Sequence, residues 1–302
     1  MTQGKFRFTS ALTSSGWQKN VAVAVDQNGM IESVAADAKD GALIPGIAIP
    51  AVPNVHSHAH QRLMVGLAER AGPGADSFWT WREAMYGFAL KLSPDDLEAV
   101  AAQAYVEMVK AGFSCVGEFQ YLHHQPDGSA YDEPAEMSLR CISAADEAGI
   151  AITMLPTLYN YAGFGGQAPT AGQRRFVNGA DRFLEIYETL KAVCGASPLR
   201  RLGISPHSLR AVTPELLKTV LDGIDDARVH IHVAEQSKEV DDCLAWCGKR
   251  PVEFLLDQFD VSGRWCTIHA THMTADETQG LAKSGAIAGL CPTTEANLGD
   301  GI

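Results

Sequence analysis

A chain of 302 residues, 46% of them hydrophobic, is long enough to bury a large core, either as one big domain or as one domain with a small appendage. Its formal net charge of −12, with basic residues scattered rather than in runs, excludes a phosphate-tracking surface, and no nucleic-acid partner is expected. No stretch is long enough to span a bilayer, the amino terminus lacks the apolar core of a secretory signal, and seven irregularly spaced cysteines suit reduced thiols, so the expectation is a soluble cytoplasmic protein without a membrane partner.

The first forty-odd residues alternate, with Phe6, Phe8, Val21, Val23 and Val25 apolar and an Asn28-Gly29 turn before Ile31. This predicts a small antiparallel β element over residues 1–45. From residue 46 to 302 strands alternate with helices. The predicted strands are Ile47–Val55, Phe113–Phe119, Ala151–Leu158, Leu202–Pro206, Val229–Ala234, Cys266–Ala270 and Ala286–Cys291. Between them Ser93 caps a helix with Pro94 at its first position and an apolar stripe of Leu97, Val100, Ala104 and Met108. Thr213-Pro214 opens another helix, and Thr274 with Glu277 forms a capping box for a third. Repeated β-then-α units mean a parallel sheet. About seven of them, without a glycine-rich dinucleotide fingerprint, favour a (β/α)₈ barrel of the TIM type over an open sheet.

Active sites in such barrels sit at the carboxyl ends of the strands. Histidines and acids fall there: His56 and His58 after the first barrel strand, Glu118 and Tyr121 at the second, and His207 after the fourth. His232 and Glu235 end the fifth, and His269 and His272 the sixth. Side chains at i and i+2 of a strand share a face, so His56 and His58 can converge on one ion. In VHIHVAEQ, His232 lies nearer the strand end than His230 and is the expected third metal ligand, with His230 a packed or supporting residue. Glu235 is placed to exchange protons with an attacking water, and His269 to reach it from the opposite side. Zinc suits this set because it brings the pKa of bound water to about 7, although iron(II) shares such sites. The implied reaction is hydrolysis of a C–N bond.

The segments VPNVHSHAHQR, GFSCVGEFQYLHH, HIHVAEQ, IHATHMT and LCPTTEANLGDG, taken together and in order, resemble the amidohydrolase superfamily in its single-metal deaminase branch, closest to the formimidoylglutamate deiminases. The resemblance covers essentially the whole chain. It implies a (β/α)₈ barrel with one zinc and a small β-sandwich built from the two chain ends. It implies hydrolysis of N-formimidoyl-L-glutamate to N-formyl-L-glutamate and ammonia in histidine degradation, and a homodimer when full length. His56, His58 and His232 match the family's metal ligands, Glu235 its proton-shuttling acid and His269 the histidine that hydrogen-bonds the attacking water. Gln61, Arg82, Tyr121, His207 and Arg210 match its substrate pocket. A small dicarboxylate needs cationic donors, and Arg82 and Arg210 can each clamp one carboxylate. Guanine, cytosine and S-adenosylhomocysteine deaminases look similar around the metal; a nucleobase substrate would call on stacking residues such as Trp79 and Trp81.

The sequence also departs from the family. It stops at Gly301-Ile302, after the seventh strand and its loop. In this branch the eighth strand supplies an aspartate that binds the metal and acts as general base, and no residue here matches it. Asp300, read as the only nearby acid, is expected to be a loop residue. A barrel lacking its last strand, in a truncated or remodelled chain that is catalytically incomplete, is therefore the alternative expectation. A metal-free enzyme using Glu118 and Glu235 as an acid–base pair would leave the histidine cluster unexplained.

Overall fold

Alternating apolar residues and a tight turn build the amino-terminal part. The computed structural model describes residues 3–67 and 78–301, with the backbone alone for 78–80 and Glu83. It contains two compact units, Met1–Val52 and Pro53–Ile302. In the first, β1 (Gly4–Thr13), β2 (Gly16–Val25), β3 (Ile31–Ala35) and β4 (Ala42–Ala48) form a sheet in the order β3-β2-β1-β4. The β1–β2 and β2–β3 pairs are antiparallel, as the alternation predicts. Asp26 closes the turn at Asn28-Gly29, its Oδ1 accepting from the amides of Asn28 and Met30 at 2.8 Å. The fourth strand is parallel to β1, which the antiparallel reading did not foresee.

The apolar run predicted as one strand, Ile47–Val55, is divided between two sheets. Its first residues end β4 and its last begin β5 (Val52–Ser57), the first strand of the second unit. Pro50 lies in the break, where its missing N–H would interrupt a continuous ladder.

The second unit continues with β6 (Phe113–Gln120), β7 (Ala151–Leu158), β8 (Arg200–Pro206), β9 (Arg228–Val233), β10 (Trp265–His269) and β11 (Ile287–Gly289). These join in the order β11-β10-β9-β8-β7-β6-β5, and the registered pairs from β6 to β11 are all parallel. The sheet curls until its two outermost strands approach. Val55 Cγ2 would stand 3.4 Å from a Cβ added at Gly289, and Cys291 Sγ lies 3.5 Å from His56 Nδ1. Phe119, Leu155, Cys266 and Ile268 fill the interior of this nearly closed barrel. Glycine is required at two positions of close approach: a Cβ at Gly117 would meet the Val55 carbonyl at 2.9 Å, and one at Gly289 would meet Ile268 Cδ1 at 2.6 Å.

Nine α-helices lie among the described residues: α1 (Phe78–Ala89), α2 (Pro94–Lys110), α3 (Glu136–Ala148), α4 (Ala180–Gly195), α5 (Pro214–Asp222), α6 (Ser237–Cys247), α7 (Pro251–Gln258), α8 (Ala275–Ser284) and α9 (Pro292–Leu298). The predicted caps form. Ser93 Oγ accepts from the Asp96 amide, Thr213 Oγ1 from Leu216, and Thr274 makes a reciprocal box with Glu277. The buried face of α2 is Leu97, Ala101, Ala104 and Tyr105, turned slightly from the predicted stripe, which leaves Val100 and Met108 half-buried. Among the described residues no helix is long and apolar enough to cross a membrane, and all seven cysteines are free thiols.

One buried cation ties the rim loops together. Arg175 is fully buried and donates from Nε to the His124 carbonyl at 2.7 Å, from Nη1 to Leu92 at 2.9 Å and from Nη2 to the Tyr131 hydroxyl at 3.2 Å. Its own carbonyl accepts from the amides of His123 and His124. Replacing it with Met strands several buried acceptors at once. Urea unfolding of Arg175→Met should show a loss of about 3 kcal/mol; a change within about 0.5 kcal/mol would show that the loops hold without it.

Candidate metal and catalytic site

Strand alternation sets the centre of the site. In β5, His56 points into the barrel while Ser57 points outward, and His58 follows at the strand's end. The chain then enters a 3₁₀ turn, Ala59–Met64, that carries Gln61. His232, near the end of β9, comes in from across the barrel. The three Nε2 atoms converge, at 2.9 Å for His56–His232, 3.1 Å for His56–His58 and 3.2 Å for His58–His232. Nitrogens about 2.05 Å from one zinc, at angles between right and tetrahedral, stand about 2.9–3.3 Å apart. The spacing therefore fits one divalent ion, and His56, His58 and His232 could hold it together.

The ring tautomers agree with that fit. His58 Nδ1 faces the Phe119 carbonyl at 3.2 Å and His232 Nδ1 the His207 carbonyl at 2.7 Å. A carbonyl only accepts, so each Nδ1 must carry the proton and each Nε2 the lone pair. Burial depresses the pKa of all three imidazoles, His58 to about 4, which keeps them neutral and fit to ligate.

A second layer lies beside the histidines. Glu235 Oε1 is 3.5 Å from His269 Nε2, and His269 Nδ1 is 3.1 Å from Glu295 Oε1. Burial is the largest influence on Glu235 and pushes its carboxyl up to about 8, with Arg210 opposing and Asp300, Glu239 and Glu295 reinforcing. Ala234, His269 and Ala270 have φ of 52°, 71° and 49°, the left-handed region that β-carbons disfavour. The strain is held by bonds between the ends of β9 and β10, from the Ala270 amide to the Val233 carbonyl and from His272 to Ala234, both at 3.0 Å. Glu239, fully buried, accepts from the amides of Ala234 and Glu235 at 3.2 Å and so fixes the turn that presents Glu235.

All ten expected site residues line one cleft of about 710 Å³: His56, His58, His232, Glu235, His269, Gln61, Arg82, Tyr121, His207 and Arg210. Gln61 donates to the Tyr121 hydroxyl at 3.1 Å, and the His207 ring sits 4.8 Å from that of His232. The sequence reading missed Met85, Tyr86, Tyr159 and Phe176, which wall the cleft, and Thr294 and Leu298 from α9. Trp81 also lines the cleft, whereas the Trp79 side chain lies outside the described residues. His230 is set deeper in the strand, Nδ1 3.3 Å from the Val55 carbonyl, and His272 engages Arg250 and Ala234 through its backbone.

Three expectations require correction. Glu118 does not line the cleft: Phe119 takes the inward position, so the alternation turns Glu118 outward. This removes it from any acid–base pair with Glu235. Glu118 Oε1 accepts from the Ala59 amide at 2.7 Å, anchoring the turn after His58. Asp300 is not the only nearby acid, since Glu295 contacts His269 directly. Asp300 itself is buried, accepts from Gln236 and groups with Glu235 and His269.

Residues 43–302 match the Amidohydrolase family, and the chain belongs to it. More particularly, it is 52% identical over 97% of its length to the formimidoylglutamate deiminase of Pseudomonas aeruginosa, and it covers 65% of that protein. A 5-methylthioadenosine/S-adenosylhomocysteine deaminase of Haloarcula marismortui is 27% identical over 93% of the chain, which covers 58% of it. The chain thus spans somewhat less than two thirds of the length of these relatives. A crystal structure of an amidohydrolase from Brucella melitensis superposes with a TM-score of 0.95 at 51% identity, covering 99% of this chain and 67% of that one.

Burial of Glu118 gives the site a pH signature. Burial, opposed by the hydrogen bond from the Ala59 amide, raises its carboxyl from 4.5 to about 7. A raised acid favours the protonated folded form. Its stabilising contribution is complete below about 4.5 and is lost as the pH climbs through 7. Glu118→Gln should flatten that decline by up to about 3 kcal/mol in denaturant titrations between pH 5 and 8. An unchanged pH slope would mean that Glu118 is not the titrating group.

Proposed function

We propose that this chain carries the metal-dependent site of a formimidoylglutamate deiminase, which hydrolyses N-formimidoyl-L-glutamate to N-formyl-L-glutamate and ammonia within histidine degradation. The observation that carries the reading is the meeting of three converging imidazoles, two of them oriented by main-chain carbonyls, with two arginines, Arg82 and Arg210, in one cleft. The degree of identity to the Pseudomonas aeruginosa deiminase supports it. In this reading His56, His58 and His232 hold one divalent ion, zinc in preference to iron(II), since three neutral nitrogens suit it. A bound ion there supplies acidification of water toward a pKa of about 7 and polarisation of the amidine.

The chain's own residues do the rest. Arg82 and Arg210 bind the two carboxylates of the small diacid, each as a fork of donors. His269 accepts a hydrogen bond from the attacking water and orients it toward the formimidoyl carbon. The Glu235 carboxyl, able to hold a proton near neutral pH, gives it to the departing nitrogen. Water's oxygen joins the formimidoyl carbon, its two protons pass by way of Glu235 to the departing nitrogen, and the C–N bond breaks as ammonia leaves. Gln61, Tyr121 and His207 shape the wall around the reacting group. A cytoplasmic homodimer is part of the same proposal.

A second reading, deamination of a nucleoside or nucleobase, is favoured by the aromatic residues Trp81, Tyr86, Tyr159 and Phe176 in the cleft and by the more distant Haloarcula marismortui relative. Ammonia release from N-formimidoyl-L-glutamate and from a nucleobase and nucleoside panel separates the two. The comparison should use both this chain and one extended at its carboxyl end. Turnover of the diacid alone is expected, and Arg210→Ala should weaken it by about 2–5 kcal/mol in kcat/KM. An Arg210→Ala variant with unaltered kcat/KM would overturn the diacid assignment. His58→Ala should reduce bound zinc, measured by atomic emission after dialysis, from about one equivalent to background. Zinc retained by that variant would overturn the three-histidine grip.

A further inference from the structure

The acid Glu295 belongs to neither the histidine grip nor the substrate arginines, yet it is buried against the reacting side of the site. It sits on α9, one turn after Cys291, and its Oε1 receives two contacts. The Cys291 amide N–H donates to it at 3.0 Å, and His269 Nδ1 lies 3.1 Å away. An amide N–H can only donate, so Oε1 is acting as an acceptor, and a carboxylate oxygen in that role also accepts from Nδ1–H of the ring. In a neutral imidazole that leaves the lone pair on Nε2, the nitrogen 3.5 Å from Glu235. His269 needs such a restraint more than most residues, because it occupies the left-handed region at φ 71° and ends its strand there.

We propose that Glu295 is a positioning residue that locks His269 in the Nδ1–H tautomer, so that Nε2 presents its lone pair to the attacking water. This rests on the deiminase reading only for the reaction it serves; the tautomer itself is independent of substrate. The lock also explains why α9 is tied to its own start. The Glu295 amide donates to the Cys291 carbonyl at 2.9 Å and the Asp300 amide donates back to the Glu295 carbonyl at 2.9 Å, holding the side chain at a fixed distance from the ring. A glutamine at 295 would keep the lock, because the Cys291 N–H draws the amide oxygen, not the NH₂, toward that point.

Two measurements on the zinc-loaded protein decide it. Two-bond ¹⁵N–¹H correlations of the His269 ring, assigned by their loss in His269→Asn, should show Nδ1–H in the wild type and in Glu295→Gln. They should show Nε2–H or a tautomer mixture in Glu295→Ala. With N-formimidoyl-L-glutamate, Glu295→Ala should lower kcat by about 10²–10⁴-fold with KM changed by less than about threefold, and Glu295→Gln should recover most of that loss. An Nε2–H ring in the wild type, or an Nδ1–H ring in a folded Glu295→Ala, overturns the proposal. So does a glutamine variant that behaves like alanine in both measurements. If the wild type does not turn over the diacid, the functional reading fails while the ring spectra still decide the tautomer.

Discussion

Three imidazole lone pairs aimed at one point, 2.9–3.2 Å apart, form the constraint on which the rest of the molecule depends. Neutral nitrogens in that arrangement repel one another, and a shared cation offsets the cost. The fold must therefore hold the rings in place by other means. It does so from below with Phe119, whose ring lies 4.8–5.4 Å from those of His56, His58 and His232, and from the sides with main-chain carbonyls. Burial reinforces the result by keeping each ring uncharged. Barrel closure, glycine at the tight strand contacts and the turn anchored on Glu118 all serve the same geometry.

Around this centre the protein gathers buried carboxyls, at Glu235, Glu239, Glu295 and Asp300, and the Arg210 guanidinium lies close enough to Glu235 and Glu239 to stabilise their charge. Each buried acid has a distinct partner. Glu239 takes backbone amides, Glu295 takes a ring and an amide, and Asp300 takes Gln236. Glu235 meets His269 at 3.5 Å and its carboxyl is pushed up to about 8, against about 6 for Asp300, while Glu239 is tied to two amides, so Glu235 is the acid of the set least committed to structure. The strained backbone at Ala234, His269 and Ala270 falls at the same rim, where two strand ends are pulled together to face one another.

Much of this was legible in the residues. Period-two spacing in HSH and the strand end in HIH brought out the three histidines whose Nε2 atoms converge, and Ser93, Thr213 and Thr274 marked helix starts correctly. What escaped did so for physical reasons. Glu118 was read as a rim residue because its place along the strand was counted without the alternation that turns it away. The apolar run over Ile47–Val55 looked like one strand because hydrophobicity does not register which sheet each half joins. Arg175 and Glu295 act through carbonyls and a ring distant in sequence, and no local spacing encodes those meetings. The aromatic walls, Tyr86, Tyr159 and Phe176, arrive from segments whose path depends on the whole barrel.

The carbonyls that orient His58 and His232 belong to Phe119 and His207, but any amino acid at those two positions would offer the same oxygen. The tautomers of those two rings are thus insulated from changes of side chain at the positions that orient them, even though the Phe119 ring supports the rings themselves. Cleft walls can be exchanged for new chemistries while the inorganic anchor stays put, which is how one scaffold can diversify its appetite without relearning how to hold its reagent.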